Sequence, residues 1–352
     1  MPEEKRPTVS VIIKAFNEER HIAAAIESAL AALAGLHAGL RGEVILADGA
    51  STDRTIAIAK RYPIKIVRLN HAVDRSCGAG WQLGFQHSSG EFLCLMDGDM
   101  RLHSPFLATG IGFLKENPTM AGVGGAVINH DAGNLEYAQR LRRFDPDLRP
   151  GPVTRLAGCG LYRRSAISAL GYATDRNLHG GEELELAARL RAAGWGLARI
   201  DCLAVDHYCP TGNSYRLLLQ RIKNRNAFGP GELIRAAIGR PHFGLVLRCD
   251  RNSRLCGLVG LWWGSMAAIA ASTNGLSAVL ASAALLALPF AFMSLRWHSL
   301  RDGVYSVAVW NAQALCFLPG FLRRRKLPAG WMASTVIKDA RSARRETREA
   351  LA

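Results

Sequence analysis

Two aspartates separated by a glycine, Asp97-Gly98-Asp99, close the apolar run from Phe92 to Met96. Carboxylates at that spacing on a strand end present oxygens to one hard cation, and Mg2+ or Mn2+ held this way commonly bridges to substrate phosphates. In isolation the triplet reads as a solvated turn. Its place after a succession of alternating strands and helices gives it chemical weight. Asp48 closes another apolar run, Val44 to Ala47, and Gly49 and Ala50 behind it permit close backbone approach, so its carboxylate is placed to accept the imide N–H of a uracil or related base edge. The first apolar run leads into Lys14-Ala15-Phe16-Asn17-Glu18 in the same layer, where Phe16 can stack near a base and Glu18 can contact the nucleoside.

The remaining candidates lie further along the chain. Glu182, Glu183 and Glu185 follow Gly180-Gly181 and open a helical stretch that closes at Gly194-Trp195. Acids in a first helical turn are favourable beside the positive end of the helix dipole, which alone would account for them. The functional reading is a general base at the mouth of a site, with Glu183 in that role and Glu182 and Glu185 orienting it. His207, in Asp206-His207-Tyr208 after the apolar run Leu203 to Val205, is expected to complete a metal or pyrophosphate site, although a lone histidine is more often a packed residue. Arginines cluster at Arg140, Arg142, Arg143, Arg149 and Arg155, and again at Arg216, Arg221 and Arg225; guanidinium groups suit diphosphates and lipid phosphates alike.

The elements that must position these residues are legible as hydrophobic pattern. Strands are expected at Val9 to Ile13, Val44 to Ala47, Ile64 to Leu69 and Phe92 to Met96, with helices over Glu18 to Leu33 and Thr55 to Arg61, the second capped from Ser51, Thr52 and Asp53. This alternation predicts βαβ units and a parallel sheet, whose strand ends are where open α/β sheets bind ligands. Boundary signals between Arg101 and Leu203 are weak.

The chain has 352 residues, enough for a large buried core, and its hydrophobic content of 49% exceeds what a soluble domain of this size needs. From Leu255 to Leu295 no residue is charged, and Asn274-Gly275 interrupts the run with a turn dipeptide. Two spans are expected, about 255–273 and 276–295, flanked on both sides by arginines that belong on the cytoplasmic face. A third apolar segment, 303–322, precedes Arg323-Arg-Arg-Lys326; a crossing there would put that basic cluster outside, so an interfacial or re-entrant course is favoured over a third span. The division expected is therefore a catalytic region over 1–235, a membrane region over 236–326 and a charged soluble tail over 327–352. The polar start, Met1 to Pro7, lacks a signal-peptide core, which keeps the first domain cytoplasmic at the inner membrane. Eight cysteines without a C-x-x-C pair argue against zinc and for a reducing compartment. The net charge of +15 implies anionic partners, here membrane lipids and phosphate-bearing substrates; the acidic strand-end cluster would repel nucleic acid.

Taken in order, Val9-Ser-Val-Ile-Ile-Lys-Ala-Phe-Asn-Glu-Glu19, Ala47-Asp-Gly-Ala-Ser-Thr-Asp-Arg-Thr55, Gly90-Glu-Phe-Leu-Cys-Leu-Met-Asp-Gly-Asp99, Gly158-Cys-Gly-Leu-Tyr-Arg-Arg164 and the acidic helix ending at Gly194-Trp195 resemble the family 2 glycosyltransferases over about residues 8–230. The resemblance implies an α/β GT-A fold, a mostly parallel sheet flanked by helices, here with a C-terminal transmembrane hairpin. It implies inverting transfer of one sugar from a nucleotide-diphosphate sugar to a lipid-linked or membrane-proximal glycan acceptor, as in members that build exopolysaccharide or envelope glycans. The donor nucleotide would then meet Ala15, Phe16, Glu18, Asp48, Arg75 and Asp97, with Mg2+ or Mn2+ on Asp99 and His207. Glu183 would be the base, and Glu182, Glu185, Arg221 and Arg225 would line the acceptor or diphosphate region. The chain departs from the family pattern at Lys14-Ala15, where proline is usual, at Ala47, where a first aspartate is frequent, and at Glu183, where the base is usually aspartate. Gln220-Arg-Ile-Lys-Asn-Arg225 lacks the Q-x-x-R-W run of processive members, which points to single-sugar addition. A sugar-nucleotide nucleotidyltransferase and a non-catalytic membrane-associated binding protein are the alternatives, and the oligomeric state is open.

Overall fold

The computed structural model describes residues 7–339 apart from 38, 132, 273 and 274. Its first half is a run of βαβ units: β1 (Val9–Ala15), α1 (Ile22–Ala34), β2 (Gly42–Asp48), α2 (Thr55–Ala59), β3 (Lys65–Leu69), α3 (Cys77–Gln86) and β4 (Phe92–Asp97). β1 pairs in parallel with both β2 and β4, and β2 with β3. Side chains alternate across the sheet as a period of two requires. Val9, Val11 and Ile13 of β1 and Phe92, Cys94 and Met96 of β4 pack against Ile22, Ile26 and Phe106 on one face. Ile12, Leu93 and Leu95 pack with Trp81, Leu186 and Leu190 on the other. The helices start and stop later and earlier than their apolar spacing predicted, because Glu18 to His21 and Lys60 to Arg61 form turns that serve the loops.

The second half departs from the expected parallel pattern. β5 (Met100–Leu102), α4 (Ser104–Glu116), β6 (Met120–His130), α5 (Leu135–Arg142), β7 (Gly151–Pro152), β8 (Gly160–Arg163), α6 (Arg164–Ala169), α7 (Glu182–Ala192) and β9 (Gly196–Tyr208) complete the catalytic layer. β8 lies antiparallel between β4 and β6, and β5 and β7 lie antiparallel to β9; of the strands added here only β6 and β9 run parallel to each other. The sheet order is β10-β3-β2-β1-β4-β8-β6-β9-β5, a mixed sheet whose parallel pairings are the block β3-β2-β1-β4 and the pair β6-β9. Its edge strand β10 (Ser334–Lys338) pairs antiparallel with β3. Residues after Lys326 therefore return to cover a sheet edge rather than forming a free charged tail; residues 340–352 lie outside those described.

Between β9 and β10 the chain is helical: α8 (Ser214–Lys223), α9 (Gly229–Ala237), α10 (Phe243–Cys249), α11 (Arg251–Ser272), α12 (Leu276–Trp297) and α13 (Leu300–Leu322). The last three are long and apolar enough to cross a membrane, with mean hydropathy of 1.5, 2.1 and 1.2. α11 and α12 expose Leu261, Val279, Leu288 and Leu295 and form the expected hairpin; of the predicted turn dipeptide, Asn274 lies outside the described residues. α13 behaves differently. Near its start Asp302 receives Gln139 Nε2 at 3.2 Å and pairs with Arg142 at 2.7 Å. Near its end the backbone of Phe317 and Phe321 lies so close to Gly231 that a β-carbon there would stand 2.0 Å from the Phe317 carbonyl oxygen. Arg323, one residue past the helix, pairs with Glu232 at 2.8 Å. Both ends of α13 are thus fastened to the catalytic layer, while Trp263 of α11 donates to Asn311 on it at 2.8 Å.

Candidate active site

The C-terminal ends of β1, β2 and β4 lie side by side because Ala15 pairs with Asp48 and Lys14 with Asp97 in register. The loops after β1 and β2 are locked together. Ser51 Oγ accepts from Asn17 N at 3.0 Å, Thr55 Oγ1 from Glu18 N at 2.8 Å, Asp53 from Glu19 N at 3.0 Å, and Asn17 Oδ1 from Thr52 N at 2.8 Å. The cluster predicted to cap α2 therefore does double duty. These bonds hold Asn17 at φ 57° and Ala50 at φ 63°, left-handed backbone that costs a residue with a β-carbon about 1–2 kcal/mol.

Asp48 is fully buried, and only one of its oxygens is occupied: Oδ2 accepts from Ser51 N at 3.0 Å and lies 3.6 Å from Arg68. Oδ1 has no hydrogen-bond partner. Burial outweighs these donors and raises the Asp48 pKa. Beside it, the Arg75 guanidinium covers the Phe16 ring at 3.6 Å and its aliphatic stem packs near Gly49. Phe16 and Arg75 thus stack beside Gly49 and the buried, unpartnered Oδ1 of Asp48.

Asp97 and Asp99 face the same cleft. Lys14 Nζ donates to Glu182 Oε1 at 2.8 Å, lies 3.2 Å from Asp97 Oδ1 and stands 4.0 Å over the Trp81 ring. Burial would pull Lys14 down, yet Asp97 and Glu182 together hold its pKa above the ordinary lysine value. Asp97 is raised by burial and by Asp99, Glu183 and Glu182 against the pull of Lys14. Glu18 is pushed up to about 8 by burial, then by Asp99, Asp97 and Asp53. Asp99 Oδ2 lies 3.5 Å from His207 Nε2, and His207 Nδ1 meets Asn129 Oδ1 at 2.8 Å. An amide oxygen accepts only from the protonated ring nitrogen, so the bond from Nδ1–H to Asn129 orients the ring with Nε2 toward Asp99, the arrangement of a metal ligand with its orienting partner.

The donors present fit Mg2+ or Mn2+. Oδ1 of both Asp97 and Asp99 is buried without a hydrogen-bond partner, the Asp97 oxygen facing Lys14 Nζ at 3.2 Å, and Glu18, Glu182 and Glu183 crowd the two aspartates. Among the described residues no group of three or more His, Cys, Asp or Glu side chains forms a metal cage. A pair such as Asp99 and His207 suits an ion that keeps waters and takes its remaining ligands from a diphosphate.

Glu183 lies in the first turn of α7, which starts abruptly because Gly181 adopts φ 83° at its N-cap. Gly158 N donates to Glu183 Oε1 at 3.0 Å. Burial and Glu182 raise the Glu183 pKa against Lys14 and the Gly158 N–H, the condition of a carboxylate poised to take a proton. Glu182 is occupied by Lys14. Glu185 is not at the cleft mouth: it is fully buried, held by Arg189 at 2.7 and 2.9 Å and by Tyr172 at 3.0 Å, and it braces α7 from behind. Arg221 pairs with Glu136, tying α8 to α5. Arg225 is exposed and at φ 67° leads into Asn226, which donates to the His179 carbonyl at 3.1 Å just before the acidic helix. Sequence reasoning passed over Lys14 as a mere departure and missed Asn129 and the Gly158 N–H. A lysine inside the otherwise apolar run VSVIIKA was the available signal for the first, since a buried strand tolerates one only where carboxylates wait.

A parallel half-sheet ending in Asp48 and the Asp97-Gly98-Asp99 triplet, extended by a mixed set of strands that bring up His207 and an acidic helix, is the GT-A fold of nucleotide-diphospho-sugar transferases. The same fold is seen in the mannosyltransferase PcManGT from Pyrobaculum calidifontis, solved with GDP-Man and Mn2+; the TM-score is 0.55 at 19% identity, over 90% of this chain and 88% of that one. Residues 10–171 match the model of glycosyl transferase family 2. The chain's relatives include the putative glycosyltransferase EpsE of Bacillus subtilis, 29% identical over 54% of this chain and 68% of that protein. The succinoglycan biosynthesis protein ExoO of Rhizobium meliloti is 33% identical over 40% of this chain, a match that spans only 38% of ExoO.

Proposed function

We propose that the chain transfers one sugar, with inversion, from a nucleotide-diphosphate donor to a lipid-linked or membrane-proximal glycan acceptor. The observation that supports this reading is that Asp48 and Asp97, at the ends of the two parallel strands that flank β1, and Asp99, two residues beyond, each have a buried Oδ1 without a hydrogen-bond partner, the Asp97 oxygen facing the Lys14 cation at 3.2 Å. An orphaned buried acceptor costs about 1–3 kcal/mol unless a ligand completes it. The Asp48 recess would receive the base, with Phe16 and Arg75 stacked against it. Asp99 and His207 would hold Mg2+ or Mn2+, which when bound neutralises charge on the departing diphosphate. Glu183, held by Gly158, would take the proton of the acceptor hydroxyl, and Lys14 holds Asp97 and Glu182 in place.

In this reading α11 and α12 cross the bilayer as a hairpin and α13 lies in the interface against the catalytic layer. A straight crossing helix cannot be fastened to one soluble domain at both ends, as Asp302 and Arg323 fasten α13. The catalytic layer and Arg323 to Lys326 would then share the cytoplasmic face of the inner membrane. The test is thermal unfolding of the full chain with UDP-, GDP- and dTDP-sugars, with and without Mn2+, followed by product analysis. Metal-dependent stabilisation and release of a nucleoside diphosphate are expected; release of pyrophosphate, or no stabilisation by any donor, would overturn the reading.

A further inference from the structure

The chain that leaves α5 is both strongly basic and apolar at its surface. Arg140, Arg142, Arg143 and Arg149 alternate with Leu141, Phe144 and Leu148, and Phe144 is 67% exposed. This segment abuts the root of the hairpin. The Arg142 guanidinium lies 5.1 Å from the Trp297 ring at the end of α12, and Arg296 lies 5.9 Å from the same ring. Arg143 is within electrostatic reach of Arg251, at the start of α11, and of Arg296; Arg251 in turn feels Arg296, Arg155 and Arg254.

Two of these arginines are answered by carboxylates, Arg142 by Asp302 at 2.7 Å and Arg155 by Asp145 at 2.8 Å. Asp145 offsets part of the charge at Arg143 and Asp250 part of that at Arg251, but among the described residues no carboxylate forms an ion pair with Arg143, Arg251 or Arg296, and Arg143 Nε is buried without a hydrogen-bond partner. Burial, then Arg251 and Arg296, push Arg143 down to about 10. Several unanswered guanidinium groups gathered at one place repel each other, and the arrangement is completed by a multivalent anion with fork-matching oxygens, a phosphate or diphosphate. The apolar loop and both hairpin roots border the same spot, so that anion arrives from the membrane surface. Arg140, three residues before Arg143 on α5, is within electrostatic reach of Glu183 and links the cluster to the base.

We propose that Arg143, Arg251 and Arg296 bind the phosphate or diphosphate of a membrane lipid, and that the sugar carried by that lipid supplies the acceptor hydroxyl. This rests on the transfer reaction proposed above. In that step the bond from the anomeric carbon to the diphosphate oxygen breaks as the bond to the acceptor oxygen forms, the hydroxyl proton passes to Glu183, and the nucleoside diphosphate leaves.

The experiment uses the full chain in nanodiscs of neutral phosphatidylcholine, with a polyprenyl monophosphate as probe and nucleotide binding with Mn2+ measured in parallel. The wild type is expected to bind the probe. The pair Arg143→Gln with Arg296→Gln should weaken it at least about tenfold, the effect of losing charge-assisted bonds to phosphate, with nucleotide binding unchanged as proof of folding. Arg149→Gln, on the same loop but stacked 4.6 Å from Phe144, should change it less than about twofold. Equal probe affinity in the paired variant overturns the proposal. So does displacement of the probe by phosphatidylglycerol at equal concentration, which would mark a general anionic-surface patch, or equally tight binding of soluble pyrophosphate, which would mark a site for a free anion. Loss of nucleotide binding in the wild type would instead refute the transfer reading and leave the lipid result standing by itself.

Discussion

Lys14→Met tests whether the cleft is held together by one buried cation. The methionine keeps the length and apolar bulk of the stem over Trp81 but leaves Glu182, whose side chain is 9% exposed, facing Asp97 with no positive charge between them. Removing one partner of a buried ion pair costs about 3–5 kcal/mol. Because the Asp97 side chain is 32% exposed and partly screened, the lower end applies, about 3 kcal/mol. At roughly 2–4 °C per kcal/mol for a large domain, the unfolding midpoint should fall by about 6–12 °C. The assay is thermal unfolding of the detergent-solubilised full chain, followed by tryptophan fluorescence. Glu182→Gln removes the charge that Lys14 answers most closely, so adding it to Lys14→Met should restore a substantial part of the loss, a coupling of at least about 1.5 kcal/mol. A Lys14→Met shift under about 2 °C, or strictly additive effects in the cycle, would refute the account of Lys14 as the charge that organises Asp97 and Glu182.

Asn129→Leu leaves every candidate metal ligand in place but frees the His207 ring; Mn2+ affinity in the presence of UDP, measured by calorimetry, should fall about 10- to 100-fold with UDP alone unaffected. Glu183→Gln should lower turnover about 10²- to 10⁴-fold while donor binding persists. Since the Glu183 pKa is raised and a base acts only when ionised, the wild-type pH profile of kcat/KM should begin to fall, as pH drops, above the ordinary glutamate value of about 4.3, and that limb should vanish in the variant. Single cysteines placed at Arg324 and at Gly275 in a cysteine-free background should label from opposite faces of sealed vesicles, with Arg324 on the side of Thr8; labelling of Arg324 and Gly275 from the same face would exclude the hairpin topology.

The parallel half of the fold was legible because buried parallel strands write themselves as short apolar runs, and each of those runs ends in the residue that matters: Ala15, Asp48, Asp97. The antiparallel half was not. β8 is four residues long and β5 three, too short for a pattern, and β9 alternates over thirteen residues of which only Leu203 to Val205 stood out. The acids of α7 were visible as a group, but spacing along a helix does not say which face meets the cleft. Glu182 and Glu183 turn toward Lys14 and Gly158, whereas Glu185 turns to Arg189, one helical turn further on. Long-range pairing decides such roles, and a single sequence carries no record of it. The same holds for β10, whose five residues are ordinary until β3 offers them an edge.

The segment that follows α13 gives these contacts a common direction. Arg323 reaches Glu232, and Glu232 accepts from His179 N at 2.8 Å, three residues before the acidic helix that carries Glu183. Arg325 pairs with Asp175, and Lys326 pairs with Asp74, the neighbour of the Arg75 that stacks on Phe16. One stretch of chain leaving α13 thus pairs with residues on both sides of the cleft, before the helix that carries Glu183 and beside Arg75. Buried charge pairs of this kind contribute little net stability over apolar contacts but fix geometry sharply, since each misaligned partner is left desolvated and unpaired. In the proposed reaction, with a donor arriving from water and an acceptor in the bilayer, a strap anchored on α13 would fix the height of the nucleotide recess above the lipid surface, and with it the distance the acceptor must span.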